Sequence, residues 1–192
     1  MDRILVIKLG ALGDFIQALG PMQAIRKHHA GGYIVLLTTP PFAELARASM
    51  LFDDIWLDSR PPLWNVAAWV KLIKKMRAGG FARVYDLQTS ERTGWYYLLM
   101  GGAFKRAPEW SGIAPFCSHP HANPKRNEMH SMDRQAEQLK IAGIEFVGFP
   151  DLSFLRADVA RFRLPPRYVL LIPGGALTHS APNADVSLRM VG

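Results

Sequence analysis

The sequence predicts an α/β fold in which a parallel sheet is covered by helices on both faces. Two observations predict it. Short apolar runs alternate along the chain with segments whose apolar residues recur at helical spacing. The first run, Ile4 to Leu9, is almost continuously apolar, which is typical of a strand buried on both faces. Strands that alternate with helices form right-handed β-α-β units, so we expect the strands to be parallel.

The predicted strands follow the apolar runs, at Ile4 to Leu9, Tyr33 to Leu37, Asp54 to Leu57, Arg83 to Leu87 and Tyr168 to Pro173. The predicted helices follow the segments of helical spacing, at Asp14 to His28, Pro41 to Ala48, Leu63 to Ala78, Ser90 to Gly101 and Met129 to Ala142. Between the last two of these helices, residues 107–125 are rich in proline, glycine and histidine, which predicts a long surface loop near the cleft.

The turn after the first strand carries Gly10 and Gly13 and ends in Asp14. Ligands of open α/β sheets bind at the carboxyl ends of the strands, where a carboxylate could serve as a catalytic base. The turn lacks the G-x-G-x-x-G spacing of dinucleotide sites, and Asp14 would repel a phosphate at the helix N-terminus. Asp14 could instead only stabilise the start of the helix, by up to about 1 kcal/mol. Spacing alone leaves both readings open.

Composition excludes several classes of protein. The chain has 192 residues, 49% of them hydrophobic, which is ample for a buried core. The single cysteine excludes a disulfide framework, and no metal site is expected because His119 and His121 have no further ligands at suitable spacing. No signal peptide or membrane span is evident, so we expect a cytoplasmic protein.

The formal net charge of +7 favours anionic partners. The cations are dispersed, however, and form neither a basic stripe with interleaved aromatic residues nor a known nucleic-acid module. We therefore expect no nucleic acid as partner. A phosphorylated sugar or an anionic lipid headgroup fits scattered lysines and arginines better.

The ordered motifs of the chain resemble glycosyltransferase family 9, the ADP-heptose:lipopolysaccharide heptosyltransferases. The opening Ile4-Leu-Val-Ile-Lys-Leu-Gly-Ala-Leu-Gly-Asp14 and the helix Ala18-Leu-Gly-Pro-Met-Gln-Ala-Ile-Arg26 carry the resemblance. Four later segments keep the family's order: Leu36-Leu-Thr-Thr-Pro-Pro-Phe-Ala43, Tyr85-Asp-Leu-Gln-Thr-Ser-Glu-Arg92, His130 to Arg134 and Tyr168-Val-Leu-Leu-Ile-Pro-Gly-Gly175.

The resemblance implies a Rossmann-like domain, the N-terminal half of a GT-B glycosyltransferase. It implies that Asp14 is the base that deprotonates the acceptor hydroxyl, that an ADP-sugar is the donor substrate, and that no other cofactor and no metal is needed. The implied acceptor is the anionic inner core of lipopolysaccharide, which would bring the chain to the surface of the inner membrane.

Candidate substrate-binding residues lie at predicted strand ends, loops and helix starts that could face one cleft: Lys8, Gly13, Arg92, Arg106, His130 and Arg134. Each charged member could equally be a solvated surface residue, since charged side chains are mostly exposed. Thr39 and Gln88 are candidate polar contacts. Four tryptophans could stack on sugar faces, although the two in helical patterns could equally be core: Trp64, Trp69, Trp95 and Trp110.

The predicted domains are an acceptor-binding domain at 1–165 and, at 166–192, the first strand and turn of an otherwise missing nucleotide-sugar-binding domain. After Gly175 the sequence does not continue the family pattern, as a frameshift, a truncation or a fragment would explain. We therefore expect this chain alone to have negligible transferase activity. An inactive remnant that keeps only acceptor binding is the alternative.

Overall fold

The computed structural model describes residues 1–62, 64–104 and 107–156, together with residues 162, 163, 165, 167 and 169. The chain divides into two units, Met1–Leu155 and Arg156–Gly192, and all of the described helices and strands belong to the first. The predicted strand at 168–173 and the tail after Gly175 lie outside the described residues, apart from Val169.

Within the described residues, six parallel strands form one sheet: β1 (Arg3–Ile7), β2 (Tyr33–Thr38), β3 (Asp54–Leu57), β4 (Arg83–Asp86), β5 (Glu109–Gly112) and β6 (His119–Pro120). Their order is β3-β2-β1-β4-β5-β6, and every neighbouring pair is parallel. This is the strand order of the Rossmann fold, so the predicted fold class is confirmed.

Five α-helices connect the strands or follow them: α1 (Leu12–His28), α2 (Ala43–Ala48), α3 (Val66–Ala78), α4 (Glu91–Leu99) and α5 (Ser131–Ile141). All five agree in place with the predicted helices and differ at their ends by a few residues, where turns and caps decide the boundary. None of the described helices is both long and apolar enough to cross a membrane.

The expectation of a surface loop over residues 107–125 was wrong. This segment contains β5 and β6, and Trp110 and Ser111 of β5 are completely buried. The Trp110 ring packs edge-on against Tyr97 of α4 at 5.3 Å between centroids. Strands of four and two residues are too short to show a periodic pattern; β5 is stabilised by pairing with β4, and β6 by pairing with β5.

Each face of the sheet has its own core. Alternate residues of β1 point to opposite faces, so Leu5 packs in the cluster that contains residues of α3 and α4, whereas Val6 packs in the cluster that contains residues of α1 and α5. The side chains that join β1 in these two clusters include Trp69, Met76 and Tyr96 on one face and Phe15, Met22 and Leu139 on the other.

The chain after α5 returns across α1. A Cβ atom on Gly20 would lie 2.5 Å from the carbonyl oxygen of Gly148, so this crossing requires a glycine in the helix. The amide of Gln23 donates to the carbonyl of Asp151 at 2.9 Å and its oxygen accepts from the Asp151 N–H at 3.0 Å. These contacts fix residues 148–151 on α1, away from the carboxyl ends of the strands.

Candidate active site

The connections leave β1 and β4 toward opposite sides of the sheet, which makes the gap between these neighbouring strands its topological switch point. A cavity of about 630 Å³ opens at the carboxyl ends of β1, β2, β3 and β4. We call it the strand-end cleft; it is lined by Leu9, Gly10, Ala11, Asp14, Thr39, Pro40, Pro41, Phe42, Asp58, Ser59, Arg60 and Gln88.

Asp14 lies in the first turn of α1, and its side chain is exposed at the strand-end cleft. The turn before it depends on Gly10, whose φ of +136° is rarely adopted by other residues. A Cβ there would also lie 2.9 Å from the ring of Phe42. Gly13 has open space where a Cβ would be, with nothing within 4 Å. The turn thus holds a carboxylate at the cleft; its predicted catalytic role stays a prediction.

Lys8 is buried beneath this turn, with 4% of its surface exposed. Its Nζ donates to the carbonyl of Leu87, 3.3 Å away at the end of β4. Burial lowers the pKa of Lys8, and the neighbouring carboxylates of Asp14 and Asp86 partly oppose this shift. Lys8 therefore interacts with Asp14 through its charge. The burial of Lys8 does not favour the direct contact with acceptor that we predicted from the sequence.

Asp86, the last residue of β4, is completely buried. Its Oδ1 accepts hydrogen bonds from the backbone N–H groups of Gln88, at 3.1 Å, and Thr89, at 2.9 Å. Burial raises the pKa of Asp86 to about 6, because removal from water disfavours the carboxylate. Asp86 thus shapes the turn between β4 and α4.

The two predicted polar contacts, Thr39 and Gln88, hold Leu9 in place. The Thr39 hydroxyl donates to the Leu9 carbonyl at 2.9 Å, and the Gln88 side-chain oxygen accepts from the Leu9 N–H at 2.9 Å. Both residues line the strand-end cleft, but these bonds use their side chains to position the turn that leads to Asp14.

The far wall of the cleft rests on a buried carboxylate, Asp58, which directly follows β3 and is 1% exposed. Its Oδ2 accepts from the Tyr96 hydroxyl at 2.5 Å and from Arg92 Nε at 3.4 Å, and its Oδ1 accepts from the Arg60 N–H at 2.7 Å. Arg92 also donates to the Pro61 carbonyl at 3.1 Å.

The guanidinium of Arg92 lies over the Trp69 ring, 4.6 Å from its centroid. With these contacts Arg92 stabilises the loop that begins at Asp58 and presents Arg60 to the cleft. The predicted contact of Arg92 with substrate stays a prediction.

A second group of cations adjoins the site on the β5 side. The charge of Arg134, in α5, lowers the pKa of Lys8 and of Arg126, although burial is the larger cause in both. Arg126 Nη1 donates to the Asn127 side chain at 3.1 Å. Its buried Nε and Nη2 have no hydrogen-bond partner among the described residues. The carboxylate of Asp86 partly offsets the effect of Arg134 on Arg126. Buried donors without a partner are costly, so these two nitrogens favour the binding of an anion.

His121, just after β6, lies beside the same cations. It is 2% exposed, and its Nε2 lies 3.5 Å from a carboxylate oxygen of Glu137 in α5. Burial lowers the pKa of His121, which favours the neutral imidazole; the carboxylate of Glu137 opposes this shift, and the charges of Arg126 and Arg134 add to it.

Of the remaining predicted site residues, His130 is the exposed N-cap of α5, where its Nδ1 accepts from the Met132 N–H at 3.4 Å. Arg106 lies outside the described residues. Trp110 is buried in the core, which rules out the sugar contact that we considered, and Trp69 is also core. Trp64 and Trp95 are exposed.

Sequence reasoning missed Asp58, Arg60 and Arg126. A signal existed for Asp58, since it follows a predicted strand directly, as Asp14 follows the turn after β1. Arg126 lies in a loop without pattern, and only the packing of that loop against α5 brings it to the site. Among the described residues, no group of three or more histidine, cysteine or acidic side chains could hold a metal ion.

The sequence matches no protein-family model and no curated protein. Solved structures do match. A family 9 glycosyltransferase from Veillonella parvula superposes with a TM-score of 0.62 at 20% identity, over 74% of this chain and 41% of the other.

Two E. coli proteins match as well. The heptosyltransferase WaaC, solved with ADP-2-deoxy-2-fluoro heptose, gives a TM-score of 0.57 at 15% identity, over 79% of this chain and 52% of that one. ADP-heptose lps heptosyltransferase II gives 0.59 at 14% identity, over 86% and 52%.

The chain spans about half the length of these proteins. At such identities the likeness establishes the fold, and it agrees with the strand order and with the site at the switch point. The first unit of this chain therefore has the Rossmann-like fold of the N-terminal domain of family 9 glycosyltransferases.

Proposed function

We propose that this chain is the acceptor-binding domain of a heptosyltransferase-type glycosyltransferase. The observation that carries the proposal is an exposed carboxylate, Asp14, at a cleft on the topological switch point, with a partly buried guanidinium nearby, that of Arg126, whose Nε and Nη2 have no hydrogen-bond partner among the described residues. A base beside anion-binding groups is what transfer to a phosphorylated or acidic sugar requires.

Asp14 would act as the general base. In the proposed reaction, it takes the proton of an acceptor hydroxyl while that oxygen attacks the anomeric carbon of the donor heptose. The bond from that carbon to the diphosphate oxygen breaks, and ADP leaves with the electron pair. The exposure of Asp14 supports this role, because an acceptor hydroxyl can reach it within hydrogen-bond distance.

Arg126 and Arg134 would bind the anionic groups of the acceptor. We propose the inner core of lipopolysaccharide as that acceptor, since its phosphate and carboxylate groups suit guanidinium donors. The charge of +7 supports the choice. A lipid-linked acceptor would bring the chain to the cytoplasmic surface of the inner membrane.

The donor would be an ADP-heptose. A WaaC structure with an ADP-heptose analogue supports this class of donor, although the chain spans only about half of that protein. A second candidate is an acceptor-binding module that does not transfer sugar, which the unpaired nitrogens of Arg126 support equally well. Both candidates share the acceptor site and differ in catalysis.

Calorimetric titration with a phosphorylated inner-core saccharide, and separately with a short DNA duplex, tests the binding site. We expect binding of the saccharide that weakens as salt is raised. Arg126→Met should lower the affinity by roughly 10- to 100-fold, the effect of a charge-assisted hydrogen bond. Lys27→Met, an exposed cation at the far end of α1, is the matched control. Tighter binding to DNA, unchanged in Arg126→Met, would refute the acceptor site.

A sugar-transfer assay with ADP-heptose then separates the two candidates. Positioning of donor and acceptor supplies roughly 7 to 11 kcal/mol of barrier lowering, so a module that binds only the acceptor should show no turnover, whereas a transferase should. Turnover that is lost in Asp14→Asn, with saccharide affinity kept, would establish the enzyme and its base. Turnover that Asp14→Asn leaves unchanged would exclude Asp14 as the base.

A further inference from the structure

A second cavity lies between α3 and α4 and has a volume of about 510 Å³. We call it the α3–α4 groove; it is lined by Val66, Trp69, Val70, Ile73, Lys74, Arg77, Trp95 and Leu99. None of these residues belongs to the strand-end cleft, and the proposed transfer reaction does not use them.

The groove exposes large apolar side chains where a soluble helix pair usually presents polar ones. Val66 is 64% exposed, Trp95 53%, Val70 45% and Leu99 40%. These residues lie on two neighbouring helices and form one continuous strip rather than scattered positions. A contiguous apolar strip of this kind marks a surface that contacts something apolar.

The rim of the groove is cationic. Helix α3 carries four cations and no acidic residue, namely Lys71, Lys74, Lys75 and Arg77. Lys74 and Arg77 line the groove directly. On α4 the only acidic residue is Glu91, in its first turn, and it is not part of the lining. An apolar floor with a basic rim and an exposed tryptophan is the pattern of surfaces that bind anionic membranes.

We propose that the α3–α4 groove docks this chain on the surface of an anionic lipid bilayer. Val66, Val70 and Trp95 enter the boundary between headgroups and acyl chains, while Lys71 and Lys74 contact the anionic headgroups. The proposal rests on the membrane contact proposed above and assigns it to a surface; it does not depend on catalysis.

The charge of the α3–α4 groove favours an anionic bilayer over a second copy of this chain as its binding partner. In a two-fold dimer through the groove, Lys74 and Arg77 of one copy would face the same two cations of the other. Such like-charge contacts oppose association, whereas a bilayer that contains anionic lipid supplies the opposite charge.

The position of the groove fits an acceptor that is anchored in the bilayer. The indole N–H of Trp69, in the floor of the groove, donates to the Pro62 carbonyl at 3.3 Å, and its ring carries Arg92. Arg92 in turn holds Asp58 at the wall of the strand-end cleft. Arg92 thus lies between the two cavities, in contact with one lining residue of each, so a docked chain would bring its cleft close to the lipid headgroups.

Cosedimentation with phosphatidylcholine vesicles, with and without phosphatidylglycerol, tests the proposal. We expect binding that requires phosphatidylglycerol and weakens with salt. Trp95→Gln should lower partitioning by roughly tenfold, because it removes most of one half-exposed aromatic contact. Lys74→Gln should lower it by roughly fivefold, the effect of one lysine at an anionic surface.

Phe149→Gln, which removes an apolar side chain that is 88% exposed on another part of the surface, is the matched control and should bind as the unmodified chain does. If Trp95→Gln and Phe149→Gln lose vesicle binding equally, or if neither loses it, the groove is not the docking surface, although the chain still binds membranes. Absence of any vesicle binding would refute both, and saccharide titration reports on the acceptor site independently. Self-association that Trp95→Gln abolishes would identify the groove as a dimer interface and overturn the proposal.

Discussion

Replacement of Arg92 by methionine should destabilise the fold, because Arg92 is the cationic partner of a buried carboxylate. The side chain of Asp58 has no exposed surface, and that of Arg92 is 18% exposed. Methionine keeps much of the aliphatic stem but removes the donors to Asp58, Pro61 and Tyr96. Asp58 would then keep only the Tyr96 hydroxyl and the Arg60 N–H.

Removal of one partner from a buried ion pair costs about 3 to 5 kcal/mol. The Nε to Oδ2 distance of 3.4 Å is long, which favours the lower half of that range. Loss of the cation–π contact with Trp69 adds roughly 0.5 to 2 kcal/mol. We therefore expect Arg92→Met to lower the free energy of unfolding by about 3.5 to 6 kcal/mol in all.

Urea denaturation, followed by circular dichroism, measures this change. Asp58→Asn is the second variant and Asp58→Asn/Arg92→Met completes a double-mutant cycle. Since the neutral amide needs no cation, Arg92→Met should cost less in the Asp58→Asn background, with a coupling of roughly 1 to 3 kcal/mol. Arg92→Lys should restore only part of the stability, because an ammonium cannot reproduce the planar guanidinium contacts.

A loss of only about 1 kcal/mol or less in the free energy of unfolding of Arg92→Met, which is the range of a surface ion pair, would contradict a buried ion pair between Arg92 and Asp58. If that variant also loses affinity for the saccharide, Arg92 is a substrate contact, as the sequence predicts. If stability falls and saccharide affinity falls only in proportion to the unfolded fraction, its role is to support the cleft wall.

The other predictions concern the first turn and the response to pH. Gly10→Ala should lower the melting temperature, because Gly10 has positive φ and a Cβ would meet Phe42. Gly13→Ala should keep the normal melting temperature, because a Cβ there has open space. Its affinity for the saccharide should fall if the ligand approaches the backbone of Gly13. Burial lowers the pKa of His29 to about 4 in the folded chain, so the unfolded chain takes up this proton at a higher pH. Stability should therefore fall by about 1 kcal/mol, after allowance for solvent screening, as the pH drops from 6.5 to 4. His29→Gln should remove this slope, as measured by urea denaturation at a series of pH values. For Asp86, whose pKa rises from 3.8 to about 6, the folded state binds the proton first, so this group should raise stability by up to about 3 kcal/mol as the pH falls from about 6 to about 4, and should have no effect above pH 6. Asp86→Asn should abolish this dependence, and an unchanged pH profile would contradict the assignment.

Much of the fold could be predicted from the sequence because its signal is local. The apolar run of β1 predicts a strand and the helical spacing of α1 predicts a helix, and the alternation of such segments implies a parallel sheet. The position of Asp14 follows in the same way, since a turn between a strand and a helix must open at the carboxyl edge of such a sheet.

Only the tertiary structure decided which charged residues meet and how they are used. Lys8 and Arg92 read as free cations in the sequence, yet packing buries one and pairs the other with Asp58, which lies 34 residues away. Arg126 reaches the site because its loop packs against α5, a contact that no spacing encodes. The burial and pairing of a charged side chain depend on residues that are distant in sequence, whereas hydrophobic periodicity and turn residues are local signals. The local signals determined the strands, the helices and the place of Asp14, and only the tertiary structure decided the contacts of the charged residues.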